Sequence, residues 1–293
     1  MIISEFLKYI EFERRYSQHT ILSYAKDLEQ FNDFLKVNYQ IVDSKEVEFV
    51  FVRAWIAELM ENGNSPKTVN RKISTLKSFF KYLLKTGEIK HNPVLKISGP
   101  KIRRKLPVFI EEKSMNLLLL DNPKTYEDAR NRLIVEIFYT TGIRRAELIG
   151  LRLKDVNIDE NIIKVLGKRN KERMVPIHPS LLPLINSYLS FKQNAIPNPE
   201  DFDYFFITIK GKKMYPKLVY RIVNNYLSMV STKKNRSPHV LRHTFATHML
   251  NHGADLNAVK ELLGHANLAA TQIYTHNTIE KLKNIYKLAH PKA

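Results

Sequence analysis

No cysteine occurs in the 293 residues, which excludes disulfide frameworks and every cysteine-based metal site. Long apolar runs are missing too: no segment approaches the 18 or more consecutive apolar residues that a membrane span needs. The opening MIISEFLKYIEFERRYS sets charges among its apolar residues, so it lacks an uninterrupted signal-peptide core. Phosphate-loop and dinucleotide fingerprints, internal repeats and low-complexity tracts are likewise absent from the sequence. These absences point to a cytoplasmic chain with no membrane partner.

Acidic residues are scarce beside basic ones, 29 against 47, for a formal net charge of +18. Residues 1–100 contribute +3 and residues 101–293 contribute +15. A field of this sign favours a polyanion, most often DNA or RNA. A basic soluble chain without such a partner is the alternative, and charge alone names no chemistry. What is plentiful is core material, an apolar share of 44% with 15 Phe, and the length suits two domains of about 100–200 residues each.

The first hundred residues read as helices. Ser17 is placed to cap a helix through Phe34, with Ile21, Tyr24, Leu28, Phe31 and Phe34 at helical spacing. A second periodic run covers Val47 to Met60 and stops at the Asn62-Gly63-Asn64 turn signal. A third starts at Ser65-Pro66 and runs to Thr86-Gly87, setting an apolar face against Lys67, Arg71, Lys72, Lys77, Lys81 and Lys85. Such a face suits DNA phosphates or plain solvent equally well. Residues 92–107 lose periodicity: Asn92-Pro93, Gly99-Pro100 and Pro107 bracket Lys101, Arg103, Arg104 and Lys105. We read a helical domain over 1–98, a basic linker over 99–108 and a second domain over 109–293.

The second domain mixes elements. A helix is expected from Tyr126 to Thr140, stopping at Thr141-Gly142. The β-rich runs Ile162–Leu166 and Arg173–Ile177 flank Gly167-Lys168-Arg169-Asn170-Lys171, a hairpin with a basic tip. Helices resume near Pro179, Lys217, Pro238, Asp255 and Ile279.

Six residues carry chemistry if they converge: Arg144, Lys168, His239, Arg242, His265 and Tyr274. Transesterifying a phosphodiester needs a nucleophile, cations for the charge that builds on phosphorus, and an acid for the leaving oxygen. His239 and Arg242 stand three apart on one helix face. Arg144 follows a helix stop and Lys168 sits at a hairpin tip. Taken singly, each has a plainer reading: solvated arginines and lysines, packed histidines, one of 14 tyrosines.

The wording around the six distinguishes them. Thr141-Gly142-Ile143-Arg144-Arg145-Ala146-Glu147-Leu148 resembles the first arginine box of the tyrosine recombinases, and Gly167-Lys168-Arg169-Asn170-Lys171-Glu172-Arg173 their lysine hairpin. His239-Val240-Leu241-Arg242-His243-Thr244-Phe245-Ala246-Thr247 is similar to their histidine–arginine box, and Leu262-Leu263-Gly264-His265 to the next element. Tyr274 follows within Thr271-Gln272-Ile273-Tyr274-Thr275-His276, where the family's nucleophile stands. The boxes keep the family's order, and Ala289-His290-Pro291-Lys292-Ala293 resembles the tail of the Xer subgroup.

The resemblance implies a mainly α fold with a small β-sheet in the C-terminal domain. A helical core-binding domain and an α+β catalytic domain would close on DNA, without the arm-binding domain of larger integrases. It implies a site-specific recombinase working through a 3′-phosphotyrosine intermediate, with Tyr274 as nucleophile, Arg144 and Arg242 on the phosphate and His265 beside them. Lys168 would be the acid for the leaving 5′ oxygen, and His239 would assist proton transfer. It implies neither metal nor other cofactor. Lys67, Arg71, Lys72, Lys101, Arg103, Arg104, Arg169 and Lys171 are the expected DNA contacts.

The expected partners are a dif-like double-stranded site and a homo- or hetero-tetramer that includes a paralogue. An FtsK-like DNA translocase completes the set, the whole serving chromosome dimer resolution. The last helix, with Ile279, Leu282, Ile285, Tyr286 and Leu288, would dock into a neighbouring protomer or pack within its own domain. The rivals are a mobile-element integrase, a non-cutting DNA-binding protein of this fold, a topoisomerase of the related type and a metal-dependent nuclease. For the last, the His239/His243 and His248/His252 pairs lack the Glu that a zinc-protease signature places after the first His.

Overall fold

A run of capped amphipathic helices, not a sheet, dominates the chain. The structure is a computed structural model that describes residues 2–102, 108–118, 122–167, 172–232, 235–264 and 276–290, with side chains of 276–282 left aside. Lys168, Arg169, Lys171, His265, Tyr274, Arg103 and Arg104 therefore lie outside the described residues. The chain divides into two compact units, Met1–Lys105 and Leu106–Ala293.

The first unit holds α1 (Ile2–Lys8), α2 (Gln18–Tyr39), α3 (Phe49–Glu61) and α4 (Pro66–Lys85). Ser17 caps α2 by accepting from the Thr20 amide at 3.3 Å, and Ser65 caps α4 by accepting from the Thr68 amide at 3.2 Å. Each hydroxyl satisfies one of the amides that a helix start leaves unpaired. Pro66 stands where its missing N–H costs nothing. The helices bury Phe31, Trp55, Leu76, Phe79 and Phe80 between them. The opening helix α1 was not anticipated, because its charges interrupt the apolar pattern, yet Phe6 is fully buried with its ring edge against Phe79 at 5.3 Å.

The second unit runs α5 (Glu112–Leu117), α6 (Tyr126–Thr141), α7 (Arg145–Gly150), β1 (Val156–Asn157), β2 (Ile162–Leu166), β3 (Glu172–Pro176), α8 (Leu181–Ala195), α9 (Pro216–Val230), α10 (Pro238–Asn251), α11 (Leu256–Leu263) and α12 (His276–Ala289). Thr125 and Asp128 form a reciprocal capping box that starts α6. The rest of α6 is buried on nearly all sides, packed by α8, α9 and α10, as befits a helix at the centre of a core.

Among the described residues the strands form one antiparallel sheet in the order β1-β2-β3. Ile163 faces Val175 and Val165 faces Arg173. The period-two alternation thus turns Arg173 inward with Val175.

α12 packs on its own unit. Tyr286 is buried and donates its hydroxyl to the Thr140 carbonyl at 2.7 Å, and the His290 ring lies 4.8 Å from the Tyr286 ring. Tyr286, one residue of the apolar stripe, thus packs within its own domain. Leu288, assigned to the same stripe, is 83% exposed. Among the described residues no helix is long and apolar enough to cross a membrane.

The core makes a stability prediction. Phe138, fully buried at the centre of α6, should cost about 3–5 kcal/mol when cut to Ala, from lost transfer energy and the cavity left behind. Urea unfolding of the full chain measures it, and a loss below 1 kcal/mol would contradict this core assignment.

Candidate active site

Two left-handed glycines and a helix end define the site. α6 stops at Gly142 with φ 61°. A Cβ there would stand 2.5 Å from a ring carbon of Phe245 and 2.7 Å from Leu263, so neither the backbone nor the space accepts a side chain. The chain then extends through Ile143 to Arg144, the residue before α7, with φ −78° and ψ 152°. Glu147, one turn into α7, reaches back to accept the Arg144 amide at 2.7 Å, which is the return half of a capping box.

The end of α11 collects three arginines. Arg173 Nε donates to the Leu262 carbonyl at 3.0 Å, Arg242 Nη2 to the Leu263 carbonyl at 2.6 Å, and Arg144 Nη2 to the Gly264 carbonyl at 2.8 Å. They come from β3, α10 and the start of α7. The last carbonyls of a helix have no partner within it and mark the negative end of its dipole, so guanidinium groups answer both needs. Arg242 also donates Nη1 to the Gly142 carbonyl at 2.6 Å, which joins the two glycine turns.

Glu147 balances part of this charge. Its carboxylate accepts Arg144 Nη1 at 2.8 Å and both terminal nitrogens of Arg173, at 2.7 and 2.9 Å. Burial pushes its carboxyl up, but the Arg173 and Arg144 bonds outweigh burial and hold it at about 2. The Arg242 guanidinium is lowered to about 10, by burial first and then by Arg144, with Glu147 opposing. It therefore remains charged at neutral pH. Three cations and one anion leave the cluster cationic.

The arginines differ in exposure. The Arg173 side chain is 6% exposed and the Arg144 side chain 35%, and Arg242 is half-buried. A guanidinium carries five N–H groups, and the helix-end and carboxylate bonds use only some of those on Arg144 and Arg242. What they can do is donate to the oxygens of an anion at the mouth of the cluster.

The structure thus brings Arg144 and Arg242 to the same helix end. His239 stands exposed in the first turn of α10, one turn before Arg242. Lys67, Arg71 and Lys101 are exposed. Lys72 is a correction: its side chain is 5% exposed and paired with buried Asp27 at 3.3 Å, its ammonium also bonding Gln30. Asp27 takes further bonds from Arg71 and from the Thr75 hydroxyl at 2.9 Å. Lys72 therefore neutralises a buried carboxylate and is no DNA contact.

Sequence reasoning left Glu147 and Arg173 without a role. Two signals marked them: a Glu three residues after the residue that opens a helix, and a charge at an inward position of an alternating strand. Among the described residues no group of three or more His, Asp or Glu stands ready to hold a metal ion. Glu112 instead pairs with His252 at 3.0 Å, while the His248 ring nitrogen meets the Tyr139 hydroxyl at 3.1 Å.

Residues 109–281 match the phage integrase family and residues 3–87 the phage integrase N-terminal SAM-like domain. A protein of Thermodesulfovibrio yellowstonii named tyrosine recombinase XerC is 39% identical over 293 residues, spanning 99% of this chain and 96% of that protein. One of Listeria monocytogenes named tyrosine recombinase XerD is 34% identical over 294 residues, spanning 100% and 99%. The fold is similar to the crystal structure of XerH site-specific recombinase bound to its palindromic difH substrate, with a TM-score of 0.73 and 24% identity, covering 96% of this chain and 83% of that one.

The turn geometry yields a prediction. Gly142→Ala should lower stability by about 1–3 kcal/mol through strain at a left-handed position, and by more if Phe245 cannot yield. Thermal unfolding reads it; an unchanged melting temperature would contradict the close packing at this turn.

Proposed function

The chain belongs to the phage integrase family as a tyrosine recombinase of the Xer type, a DNA strand-transferring enzyme, and from that premise we propose how its residues divide the work. Tyr274 attacks the scissile phosphodiester. Its phenolic oxygen bonds to phosphorus as the bond to the 5′ oxygen breaks, giving a 3′-phosphotyrosine and a free 5′ hydroxyl. A tyrosine hydroxyl has a pKa of about 10, so it needs help to ionise. His239 assists transfer of that proton, and Lys168 gives one to the departing oxygen. Arg144 and Arg242 bind the non-bridging oxygens, with His265 adding a hydrogen bond.

The observation that carries this reading is the anchoring of Arg144 and Arg242 on adjacent carbonyls at the end of α11. Guanidinium groups fixed beforehand stabilise charge that develops on a phosphate without reorganising during the reaction. One phosphodiester replaces another, so bond energy is kept and the reverse step joins a new strand. The arginines and lysine supply positive charge where other phosphotransfer enzymes use metal ions.

The partner is double-stranded DNA bearing a dif-like site, which fits the +15 carried by residues 101–293. Lys67, Arg71, Lys101, Arg103, Arg104, Arg169 and Lys171 would neutralise phosphates. Exchange between two duplexes calls for four protomers, of one kind or with a paralogue, and an FtsK-like translocase as activator. Resolution of chromosome dimers in the cytoplasm is the role this fits best. The helical first unit would be the core-binding domain and the second the catalytic domain.

Covalent capture tests the proposal. The protein is incubated with fragmented genomic DNA and denatured, and its DNA adducts are recovered and sequenced. Adducts at one or a few sites, insensitive to chelator and lost in Tyr274→Phe, are expected; adducts that persist in Tyr274→Phe would refute the nucleophile. Binding should also weaken steeply as salt rises, because phosphate contacts release counterions. An affinity that barely changes with salt would contradict the phosphate contacts.

A further inference from the structure

We propose that Arg173, which sequence reasoning left unassigned, is a positioning residue for strand transfer and acts through Arg144. The proposal rests on the reading of Arg144 as a ligand of the scissile phosphate. Arg173 occupies an inward position of β3 beside Val175, where the strand's alternation calls for an apolar side chain. A guanidinium there is costly unless it is paired and its donors are used. All three of its nitrogens are used: Nε on the Leu262 carbonyl, Nη1 and Nη2 on the two oxygens of Glu147.

The consequence falls on Arg144. Its side chain has two anchors, Glu147 Oε1 at 2.8 Å and the Gly264 carbonyl at 2.8 Å. Arg173 holds both. Its fork takes both oxygens of Glu147, sharing Oε1 with Arg144, and so fixes the rotation of the carboxylate. It also ties down Leu262, two residues before Gly264, and three of its atoms lie 3.1 Å from where a Cβ of Gly264 would stand. A side chain at residue 264 would press on Arg173 and would be strained at this left-handed position. Arg173 is 6% exposed and bonds to no group outside this cluster among its described contacts. It aims the arginine that meets the phosphate and does not meet it itself.

A lysine cannot replace it. An ammonium is a point donor and cannot serve Leu262 and both Glu147 oxygens in one plane, so Arg173→Lys keeps the charge and loses the aim. The test compares single-turnover adduct formation on two duplexes carrying the cleavage site found by adduct sequencing. One has the natural scissile phosphodiester. The other has one non-bridging oxygen replaced by methyl, which removes the charge that Arg144 would stabilise.

Arg173→Lys should bind the natural duplex as wild type does but react about 100-fold more slowly, the scale of a misplaced catalytic contact. On the methylphosphonate duplex, the gap between variant and wild type should largely close. Because Arg173→Lys could destabilise the fold, the double variant Arg173→Gln with Glu147→Gln, which buries no net charge, is run beside it and should show the same dependence on substrate. Equal slowing on both duplexes would mean that Arg173 supports packing only and would overturn the proposal, as would wild-type rates on both. Wild-type adducts that persist in Tyr274→Phe would instead refute the nucleophile reading and the proposal with it.

Discussion

The geometry of the site depends on one carboxylate. Glu147 accepts the Arg144 amide, the Arg144 side chain and the fork of Arg173, so it fixes the start of α7, the side chain above it and strand β3 together. Remove its charge and two guanidinium groups are left facing each other near a buried point. A buried ion pair seldom adds net stability over an apolar alternative, but breaking one by removing a single partner typically costs about 3–5 kcal/mol. The cluster is better understood as a device for geometry than as a source of stability.

The end of α11 is the second half of that device. Three successive carbonyls, of Leu262, Leu263 and Gly264, each receive an arginine from a different element. A helix end that would otherwise need water or a cap is satisfied by cations, two of which the proposed mechanism assigns to the phosphate. The two glycines at 142 and 264, both left-handed, allow the turns to approach closely enough for this to happen. In the proposed mechanism, phosphate charge arriving at Arg144 and Arg242 would meet donors that are already oriented, which is the larger part of how such sites accelerate reactions.

Much of the fold was legible because local chemistry and the global arrangement agree. Ser17, Ser65 and the stop at Gly142 marked helix boundaries to within a few residues, and the alternation of Ile163, Val165 and Val175 marked the hairpin. The short elements α1, α7 and β1 were not legible, since one or two turns or a two-residue strand leave no periodicity to detect. Lys72 was misread because a basic face on a helix looks the same whether it meets solvent or a buried aspartate on another helix; Asp27, on α2, lies 45 residues away. Glu147 and Arg173 stood inside recognised boxes, but their pairing joins positions 26 residues apart and no spacing rule reaches that far. Periodicity on α12 likewise marks an apolar stripe without saying which surface receives Tyr286.

Titration of Glu147 tests the central claim most directly. With glutamate labelled at its carboxyl carbon, the resonance lost in Glu147→Gln identifies the group, and its chemical shift is followed by NMR against pH. If two arginines hold the carboxylate as described, it titrates at about 2, against about 4.3 for a free glutamate. The stability it contributes is then present above the free value and is lost as pH falls through the depressed one. In Arg173→Lys the midpoint should move upward. A wild-type midpoint near the free value would mean that Glu147 is not the shared anchor of the arginines.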